Sequence, residues 1–274
     1  MSNDPPFRRI AIVGVGLIGG SITLAAKRKW PSIDVAGIEA GDDLSGIAGA
    51  GLIVLSAPVL ANIRILEQIP AHAAPDAIVT DTGSTKRRIV AAAAASPALT
   101  FIGGHPMAGG ARGGAAHARD DVFDGRPWIL TPQPGHAAAA VARLESFVAG
   151  LGAVPHVMTP ELHDRLVGAV SHLPQLTASA LMHAVGRLAG DAGLEIAGSG
   201  LADTTRLAAS PPDIWKDVAV TNEDVLRDAL DVLIKTLADL RDTLQTGEAI
   251  EAVFTSACRW RAALEGARGA KATP

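Results

Sequence analysis

The stretch that decides the fold is IAIVGVGLIGGS, residues 10–21. Its first four residues are apolar and predict a short buried strand, and the helical pattern that follows extends to about residue 29. The turn between them carries Gly14, Gly16 and Gly19 at the spacing Gly-x-Gly-x-x-Gly. The first glycine would allow a tight bend, the second a close approach to a pyrophosphate, and the third close packing of helix and strand. The stretch predicts a dinucleotide-binding turn at a helix N-terminus, with a purely structural glycine turn as the alternative.

Five further apolar runs alternate with helical patterns along the chain. They cover residues 33–38, 52–55, 77–80, 100–102 and 128–130. Apolar strands separated by helices are typical of a parallel sheet covered on both faces. Only about a dozen residues separate the second strand from the third, so we expect a reduced connection of about one helical turn there. The predicted fold class is α/β, with an N-terminal Rossmann-type, doubly wound parallel sheet.

Strand signals stop after about Met158. Helical patterns follow at about 160–188, 193–209, 222–245 and 247–268. We therefore expect a dinucleotide-binding Rossmann domain over residues 1–157 and an all-helical domain over residues 158–274.

Leucines repeat at alternating spacings of four and three in the third of these helical patterns. They are Leu226, Leu230, Leu233, Leu237, Leu240 and Leu244. This spacing produces an apolar seam of heptad type along one helix face. Two interpretations are open: packing within one subunit, or an interface of interleaved helices between two subunits. We expect a homodimer.

The composition narrows the class of function. Hydrophobic residues make up 48% of the 274 residues and charged residues 19%, which predicts a sizeable packed core. The net charge of −4 and the aromatic content of 3% argue against a nucleic-acid or anionic-membrane partner. Two basic trios, residues 27–29 and 86–88, fall on predicted helices and are interpreted as solvated faces.

The single cysteine, Cys258, allows no intrachain disulfide and has no neighbouring cysteine for a metal cluster. A buried, inert thiol in a reducing compartment is expected. The sequence contains no apolar span of about 18 residues, and the apolar run after Arg9 has too many glycines for a signal peptide. We expect a soluble cytoplasmic protein without a metal site.

The second predicted strand ends at Glu39, 20 residues after Gly19. An acid here accepts hydrogen bonds from the adenosine ribose and would repel the 2′-phosphate of NADP. No arginine or lysine follows closely, so the predicted cofactor is NAD, although Glu39 is open to interpretation as an ordinary exposed acid. The expected cofactor contacts are Gly14, Gly16, Leu17, Ile18, Gly19, Glu39, Ser56 and Ser84.

Four polar clusters lie where chemistry is expected. Two of them follow the fourth and fifth strands, because the carboxyl ends of strands line the crevice in such sheets. They are Asp81–Lys86 (DTGSTK) and Gly103–Gly109 (GGHPMAG). The other two lie in the helical part, Ser171–Gln175 (SHLPQ) and Asp203–Arg206 (DTTR), with Trp215 beyond.

Taken in order with the glycine turn, these clusters resemble the prephenate/arogenate (cyclohexadienyl) dehydrogenase family over nearly the whole chain. The resemblance implies oxidative decarboxylation of prephenate, arogenate or both, giving 4-hydroxyphenylpyruvate or tyrosine in tyrosine biosynthesis. Hydride must leave C4 of the ring while its hydroxyl loses a proton, and a neutral imidazole suits that proton. Aromatisation drives the loss of CO2, so no metal is required.

The resemblance also implies roles for individual residues. His105 matches the catalytic histidine that accepts the hydroxyl proton, and Ser84 matches the serine that positions this histidine and the nicotinamide. Arg206 matches the arginine that binds a substrate carboxylate in a bidentate fork. Asp203 would pair with Arg206 and orient it. The remaining expected substrate contacts are Ser171, Gln175 and Trp215, which makes residues 158–274 the substrate-binding and dimerisation domain.

Simpler interpretations stand beside these roles. Ser84 would also serve as a helix N-cap, His105 as a capped loop histidine, and Asp203 with Arg206 as a surface ion pair.

Three features depart from the family pattern. Gln175 stands where many relatives have a histidine that binds the side-chain carboxylate, which leaves prephenate versus arogenate open. Ala111 stands where many relatives have an acid, so a gating ion pair from that position to Arg206 is not expected. The short connection between the second and third strands is the third departure.

Two other functions are open. A two-domain dehydrogenase of the β-hydroxyacid or imine-reductase type also joins a Rossmann domain to helices, and Lys86 would then be catalytic. A non-catalytic dinucleotide sensor would bind NAD without needing His105 and Arg206.

Overall fold

The computed structural model describes residues 4–39, 41–109 and 113–272, with side chains described as far as residue 267. Ala111 lies outside the described residues. The chain folds into two compact units, one up to Val225 and the other from Leu226 onward.

Within the described residues, seven strands of the first unit form one sheet. They are β1 (Arg9–Val13), β2 (Asp34–Ile38), β3 (Leu52–Leu55), β4 (Ile78–Asp81), β5 (Thr100–Pro106), β6 (Pro127–Thr131) and β7 (Val154–Val157). Their order across the sheet is β2-β1-β3-β4-β5-β6-β7. The strands β1 to β5 pair in parallel, so their carboxyl ends meet at one edge. The predicted Rossmann-type sheet is confirmed for this part.

The far side of the sheet differs from the prediction. The strand β6 runs antiparallel to β5, and β7 runs parallel to β6. The described part of the β5–β6 connection contains the short 3-10 turn Ala115–His117 instead of the crossover helix that a parallel neighbour requires. The sequence pattern misses β7 because this strand is short, mostly exposed and contains Pro155, which are features of an edge strand.

Helices account for most of the remaining described residues. They are α1 (Leu17–Lys29), α2 (Val59–Leu66), α3 (Arg87–Ala93), α4 (Ala138–Gly150), α5 (Pro160–Val167), α6 (Leu173–Glu195), α7 (Ser199–Thr205), α8 (Pro212–Thr221), α9 (Glu223–Asp242) and α10 (Glu248–Ala272). A 3-10 turn, Leu44–Ile47, joins β2 to β3 and confirms the expected reduced connection.

Two apolar cores lie on the two faces of the sheet. Side chains of β1 alternate between them, with Ile10 and Ile12 in one core and Ala11 and Val13 in the other. Helices α1 and α4 cover the first core, and α2 and α3 cover the second. This double coverage is why the strands are apolar on both faces, and it confirms the doubly wound arrangement.

The helical part departs from its predicted boundaries. The helix expected over residues 160–188 is interrupted after α5 by a π-helical segment, Gly168–His172. Pro174 lies in the first turn of α6, where its missing N–H and its ring disfavour an uninterrupted helix. The sequence pattern also misses α8, which is short and opens after Pro211 with Pro212.

Several surface expectations need correction. Lys86 is fully buried and Arg87 is half-buried, so of that trio only Arg88 fits a solvated face. Cys258 is exposed rather than buried. Among the described residues, no helix is long and apolar enough to cross a membrane, and no group of three or more His, Cys, Asp or Glu side chains is placed to hold a metal ion.

Candidate active site

An added Cβ would have a different steric consequence at each glycine of the first turn. Gly14 has a φ of +98°, and a Cβ there would lie 2.8 Å from the carbonyl of Ser56. A Cβ on Gly19 would lie 2.0 Å from the Gly14 oxygen, which would force the helix away from the strand. A Cβ on Gly16 would meet nothing within 4 Å, because this residue faces an open cleft.

The N-terminus of α1 opens into the same cleft. Gly16 occupies its N-cap position, and no described side chain caps its first N–H groups. Free N–H groups and the positive end of the helix dipole favour an anion at this place. The turn therefore has both the space and the donors that a pyrophosphate requires.

The cleft has a volume of about 530 Å³ and lies at the carboxyl edge of the sheet. One wall consists of residues at the ends of β1, β3, β4 and β5. The other wall belongs to α8 and the residues just before it. A cofactor on the glycine turn and a substrate near α8 would thus share one space.

The structure brings part of the predicted site together. The cleft lining includes Gly16, Leu17, Ile18, Ser56, Ser84, His105 and Trp215. Glu39 is exposed directly after β2 and does not line the cleft. Four predicted substrate residues also lie outside this lining, namely Ser171, Gln175, Asp203 and Arg206.

His105 is a buried residue near the end of β5, within the strand rather than in a loop after it. Its Nδ1 atom lies 2.8 Å from Nε2 of His163, which leaves Nε2 of His105 for the cleft. Burial, together with nearby His163, Lys86 and His172, holds the pKa of His105 well below its ordinary value of 6.5. The imidazole is therefore neutral near pH 7 and able to accept a proton.

A second histidine and a carboxylate continue this contact into the interior. Nδ1 of His163 lies 2.8 Å from Oδ1 of Asp164, and both side chains are fully buried. The Asp164 carboxylate also accepts the backbone N–H of Lys86 at 2.7 Å, and the backbone N–H and Nε–H of Arg87 at 3.0 and 3.1 Å. Burial alone would raise the pKa of Asp164, but these hydrogen bonds leave it below its usual value.

These contacts determine which nitrogens carry protons. The Asp164 carboxylate is ionised and can only accept, so Nδ1 of His163 must donate to it. In neutral His163, Nε2 is then an acceptor, so Nδ1 of His105 must donate. Nε2 of His105 is left unprotonated, as a base requires.

Sequence reasoning missed His163 and Asp164, although a signal was present. The buried residues of α5 are Pro160, His163, Asp164 and Val167. Their spacing i, i+3, i+4, i+7 is that of the buried stripe of an amphipathic helix. A histidine and an aspartate inside such a stripe need buried partners, and that requirement marks them as candidates.

Ser84 lines the cleft but is not the N-cap of α3. The helix begins at Arg87 with Lys86 in the N-cap position, and the carboxylate of Asp164 accepts the N–H groups of both residues. The N-cap interpretation of Ser84 is therefore wrong, and Ser84 stands as a residue of the cleft lining.

Lys86 does not line the cleft. Its side chain is fully buried in an ion pair with Asp81, which also accepts the N–H groups of Gly83 at 2.8 Å and Gly104 at 3.0 Å. Burial lowers the pKa of Lys86, although the contact with Asp81 acts in the opposite direction. The Asp81 carboxylate, paired with Lys86, therefore joins β4 to β5 and to the following turn.

Gln175 is buried and its amide is fully engaged with the chain. Its Nε2 donates to the carbonyl of Leu207 at 2.7 Å, and its Oε1 accepts the hydroxyl of Ser210 at 3.2 Å. Ser210 lines the cleft and Gln175 does not, so Gln175 contacts the cleft wall only through its hydrogen bond to Ser210.

Arg206 and Asp203 are exposed. Across the described contacts, neither side chain forms a hydrogen bond or an ion pair, so the expected Asp203–Arg206 pair is not present. Arg206 begins the 3-10 turn Arg206–Ala209 and Asp203 lies in α7, so the two residues do not share one continuous helix face.

The S-H-L-P cluster spans the end of the π-helical segment and the start of α6. Ser171 is half-buried there, and His172 is buried. The ring of His172 packs edge-on against Trp215 with 6.0 Å between ring centroids. This contact ties the segment to the α8 wall of the cleft.

Comparison with known proteins agrees with this architecture. Residues 17–157 match the family model of the prephenate dehydrogenase nucleotide-binding domain, and residues 159–255 match that of the prephenate dehydrogenase dimerization domain. Prephenate dehydrogenase of Bacillus subtilis is 31% identical over 264 residues, which cover 88% of this chain and 71% of the relative.

Two solved structures share the fold at full length. Prephenate dehydrogenase of A. aeolicus, in complex with hydroxyphenyl propionate and NAD+, is 26% identical with a TM-score of 0.83, covering 93% of this chain and 97% of that chain. Arogenate dehydrogenase of Synechocystis is 30% identical with a TM-score of 0.75, covering 95% and 99%. Together with both family models, these likenesses place the chain: it is a dehydrogenase and belongs to the prephenate dehydrogenase family.

Proposed function

We propose that this enzyme catalyses NAD-dependent oxidative decarboxylation of prephenate, arogenate or both, in tyrosine biosynthesis. The observation that carries the proposal is the position of His105. A neutral, buried imidazole lines the same cleft into which Gly16 and the N-terminus of α1 open. A cofactor and a hydroxyl-bearing ring would therefore meet beside a base.

The residues of the glycine turn fit NAD. Gly16 leaves open space for the pyrophosphate, Gly14 and Gly19 keep the turn tight, and Leu17 and Ile18 line the cleft beside it. Ser56 and Ser84 line the same cleft, and Glu39 follows β2 as an exposed acid for the adenosine ribose. When bound, NAD supplies a hydride acceptor. The A. aeolicus relative holds NAD+ in its structure, which supports this choice.

His105 acts as the base on the ring hydroxyl. Its Nε2 takes the hydroxyl proton as the C4–H electron pair leaves as hydride, and the ring C–carboxylate bond then breaks to release CO2. The electrons of that bond restore the aromatic ring and place charge on the ring oxygen, which takes the proton back from His105. The hydrogen bond to His163 and Asp164 stabilises the imidazolium between these two transfers.

The substrate is held by the α8 wall and its neighbours. Arg206 has no partner among the described contacts, so its guanidinium is free to bind a carboxylate in a fork. Trp215 supplies an apolar surface in the cleft lining, and Ser171 supplies a hydroxyl from the segment that contacts Trp215 through His172. Asp203 is retained as a further proposed substrate contact on the family resemblance alone. Gln175 acts indirectly, by holding Ser210 at the cleft.

We also propose a homodimer. In the second unit, Leu237 of α9 and Leu244 just beyond it are 54% and 64% exposed, and Phe254 and Trp260 of α10 are 63% and 65% exposed. Exposed apolar side chains of this size along a helix are typical of an interface. Light scattering coupled to gel filtration should give twice the chain mass, and a monomer would contradict the proposal.

The alternative with a catalytic Lys86 loses support because that side chain is buried against Asp81 and does not line the cleft. A non-catalytic sensor would bind NADH and leave both substrates unchanged.

The deciding experiment follows NADH formation with prephenate and with arogenate in parallel, for the wild type and for His105→Asn. We expect turnover with at least one substrate and a fall in kcat of about 10²–10⁴-fold in the variant. The matched control is His72→Asn, at an exposed residue outside the cleft, which should leave kcat unchanged. No turnover with either substrate, or a fully active His105→Asn, would overturn the proposal.

A further inference from the structure

Helix α2 has no N-cap of its own. It follows β3 through the turn Ser56–Pro58, which lines the cleft, and its N-cap position holds Pro58, whose side chain cannot accept a hydrogen bond. The first two N–H groups are instead capped from α8. Oδ2 of Asp217 accepts the N–H of Val59 at 2.6 Å, and Oδ1 accepts that of Leu60 at 3.1 Å. A carboxylate at a helix N-terminus is favoured by both hydrogen bonding and the helix dipole.

The turn before α2 is bonded to both α2 and the end of β3, so the Asp217 contact holds more than the helix itself. Nδ2 of the buried Asn62 donates to the carbonyls of Ala57 at 2.8 Å and Leu55 at 3.2 Å, and its Oδ1 accepts the N–H of Ala57 at 3.1 Å. These bonds join the end of β3, the turn and α2 into one piece. Fastening the first turn of α2 therefore fastens the sheet wall of the cleft.

The other side of the contact is the helical wall. Ile214, Trp215, Asp217 and Val218 of α8 all line the cleft. Ile214, Trp215 and Val218 offer apolar surface, whereas Asp217 makes two charge-assisted hydrogen bonds to α2. The two walls are thus joined at a defined point beside the cleft.

On the sheet wall of the cleft, the N-termini of α1 and α2 differ in how they are capped. That of α1 is free of side-chain caps, and that of α2 is filled by a carboxylate of the chain itself. An anionic group of a cofactor is therefore directed to α1, and α2 serves as an anchor.

We propose that Asp217 is a positioning residue, which acts through α2 to fix the separation between the Ser56–Pro58 turn and Trp215. This inference rests on the proposed function, because the cofactor and the substrate ring must meet between these walls. Loss of the carboxylate leaves both walls folded and lets their separation vary.

The test compares Asp217→Ala and Asp217→Asn with the control Asp213→Ala. Asp213 lies on the same helix, is exposed and pairs only with Lys216 among the described contacts. Circular dichroism first identifies a temperature at which every variant is fully folded. At that temperature we measure amide hydrogen exchange at Val59 and Leu60, the Kd of NADH by energy transfer from tryptophan, and the KM of the substrate. Each fluorescence measurement is repeated on a protein that also carries Trp215→Phe, and the difference between the two gives the signal of Trp215.

In Asp217→Ala we expect faster exchange at both amides, a changed energy-transfer efficiency from Trp215 at saturating NADH, and a rise in Kd and KM of about 10-fold or more. Asp217→Asn should give values between those of the wild type and Asp217→Ala, because the amide oxygen of asparagine keeps one hydrogen-bond acceptor. Asp213→Ala should match the wild type. A folded Asp217→Ala with unchanged transfer efficiency, Kd and KM would reduce Asp217 to a structural cap and overturn the proposal. If the wild type oxidises neither prephenate nor arogenate, the proposed function fails, while the exchange and NADH measurements still decide the role of Asp217.

Discussion

Nδ1 of His105 and Nε2 of His163 lie 2.8 Å apart, and His163 in turn contacts Asp164. An imidazole that lines the cleft is thereby connected to a buried carboxylate through a second imidazole. Because Asp164 can only accept hydrogen bonds, the proton positions along the whole chain of contacts follow from it.

Asp164→Asn should reverse these proton positions. An amide nitrogen can donate to Nδ1 of His163, which would put the proton on Nε2 of His163 and then on Nε2 of His105. A protonated Nε2 cannot accept the substrate proton, so we expect kcat to fall by about 10²–10⁴-fold with little change in the Kd of NADH. The control is Asp224→Asn, which removes the other carboxylate bound by Arg87 and leaves the His163 contact in place. Near-normal turnover of a folded Asp164→Asn would contradict the assignment.

The buried ring of His172 should make stability depend on pH. Burial, together with the nearby His163, lowers its pKa to about 4 in the folded state, against an ordinary value of 6.5. As pH falls from 6.5 towards 4, the unfolded chain binds a proton that the folded chain does not. The free energy of unfolding therefore decreases through this window, by on the order of 3 kcal/mol from this residue.

His172→Leu removes that contribution. Both ring nitrogens of His172 lack a hydrogen-bond partner among the described residues. The substitution should therefore lower the free energy of unfolding only slightly at neutral pH. Urea unfolding at about pH 7 and about pH 5 should show a smaller decrease for the variant than for the wild type. His183→Leu, at an exposed position on α6, is the control and should follow the wild type. Equal decreases in all three proteins would exclude His172 as the source.

Arg206→Gln should weaken substrate binding. The guanidinium of Arg206 is exposed and has no partner among the described residues, so it offers charge-assisted hydrogen bonds that glutamine cannot replace. KM should therefore rise by about 10–100-fold with kcat nearly unchanged. Steady-state kinetics with saturating NAD measures both constants. Arg187→Gln, at another exposed arginine of the helical part, serves as the control. A selective fall in kcat would instead place Arg206 in the chemical step.

Glu39→Ala should relax the choice of cofactor. If Glu39 repels a 2′-phosphate as proposed, its loss should lower kcat/KM with NAD and raise kcat/KM with NADP. The neighbouring exposed Asp42→Ala is the control. If the wild type already prefers NADP, or if Glu39→Ala leaves the ratio unchanged, Glu39 does not select the cofactor.

Much of the first half of the chain was predictable because its signals are local. The apolar run and three glycines of residues 10–21 specify a strand, a turn and a helix through short-range sterics, and the structure has all three in place. Ser84 and His105 were found at the ends of strands for the same reason. The strand β6 was predicted but its antiparallel direction was not, and the edge strand β7 was missed, because strand pairing depends on connections far along the chain.

By itself, the sequence predicted the Rossmann-type sheet around Gly14–Gly19, the histidine at the carboxyl end of β5 and the short link between β2 and β3. Only the tertiary structure decided that Asp164 caps α3 and orients His163, that Lys86 is buried on Asp81, and that Asp217 joins α8 to α2. The physical reason is that a turn is set by the conformations of its own residues. The partner of a buried charge is determined instead by which distant group the folded chain brings within hydrogen-bonding distance.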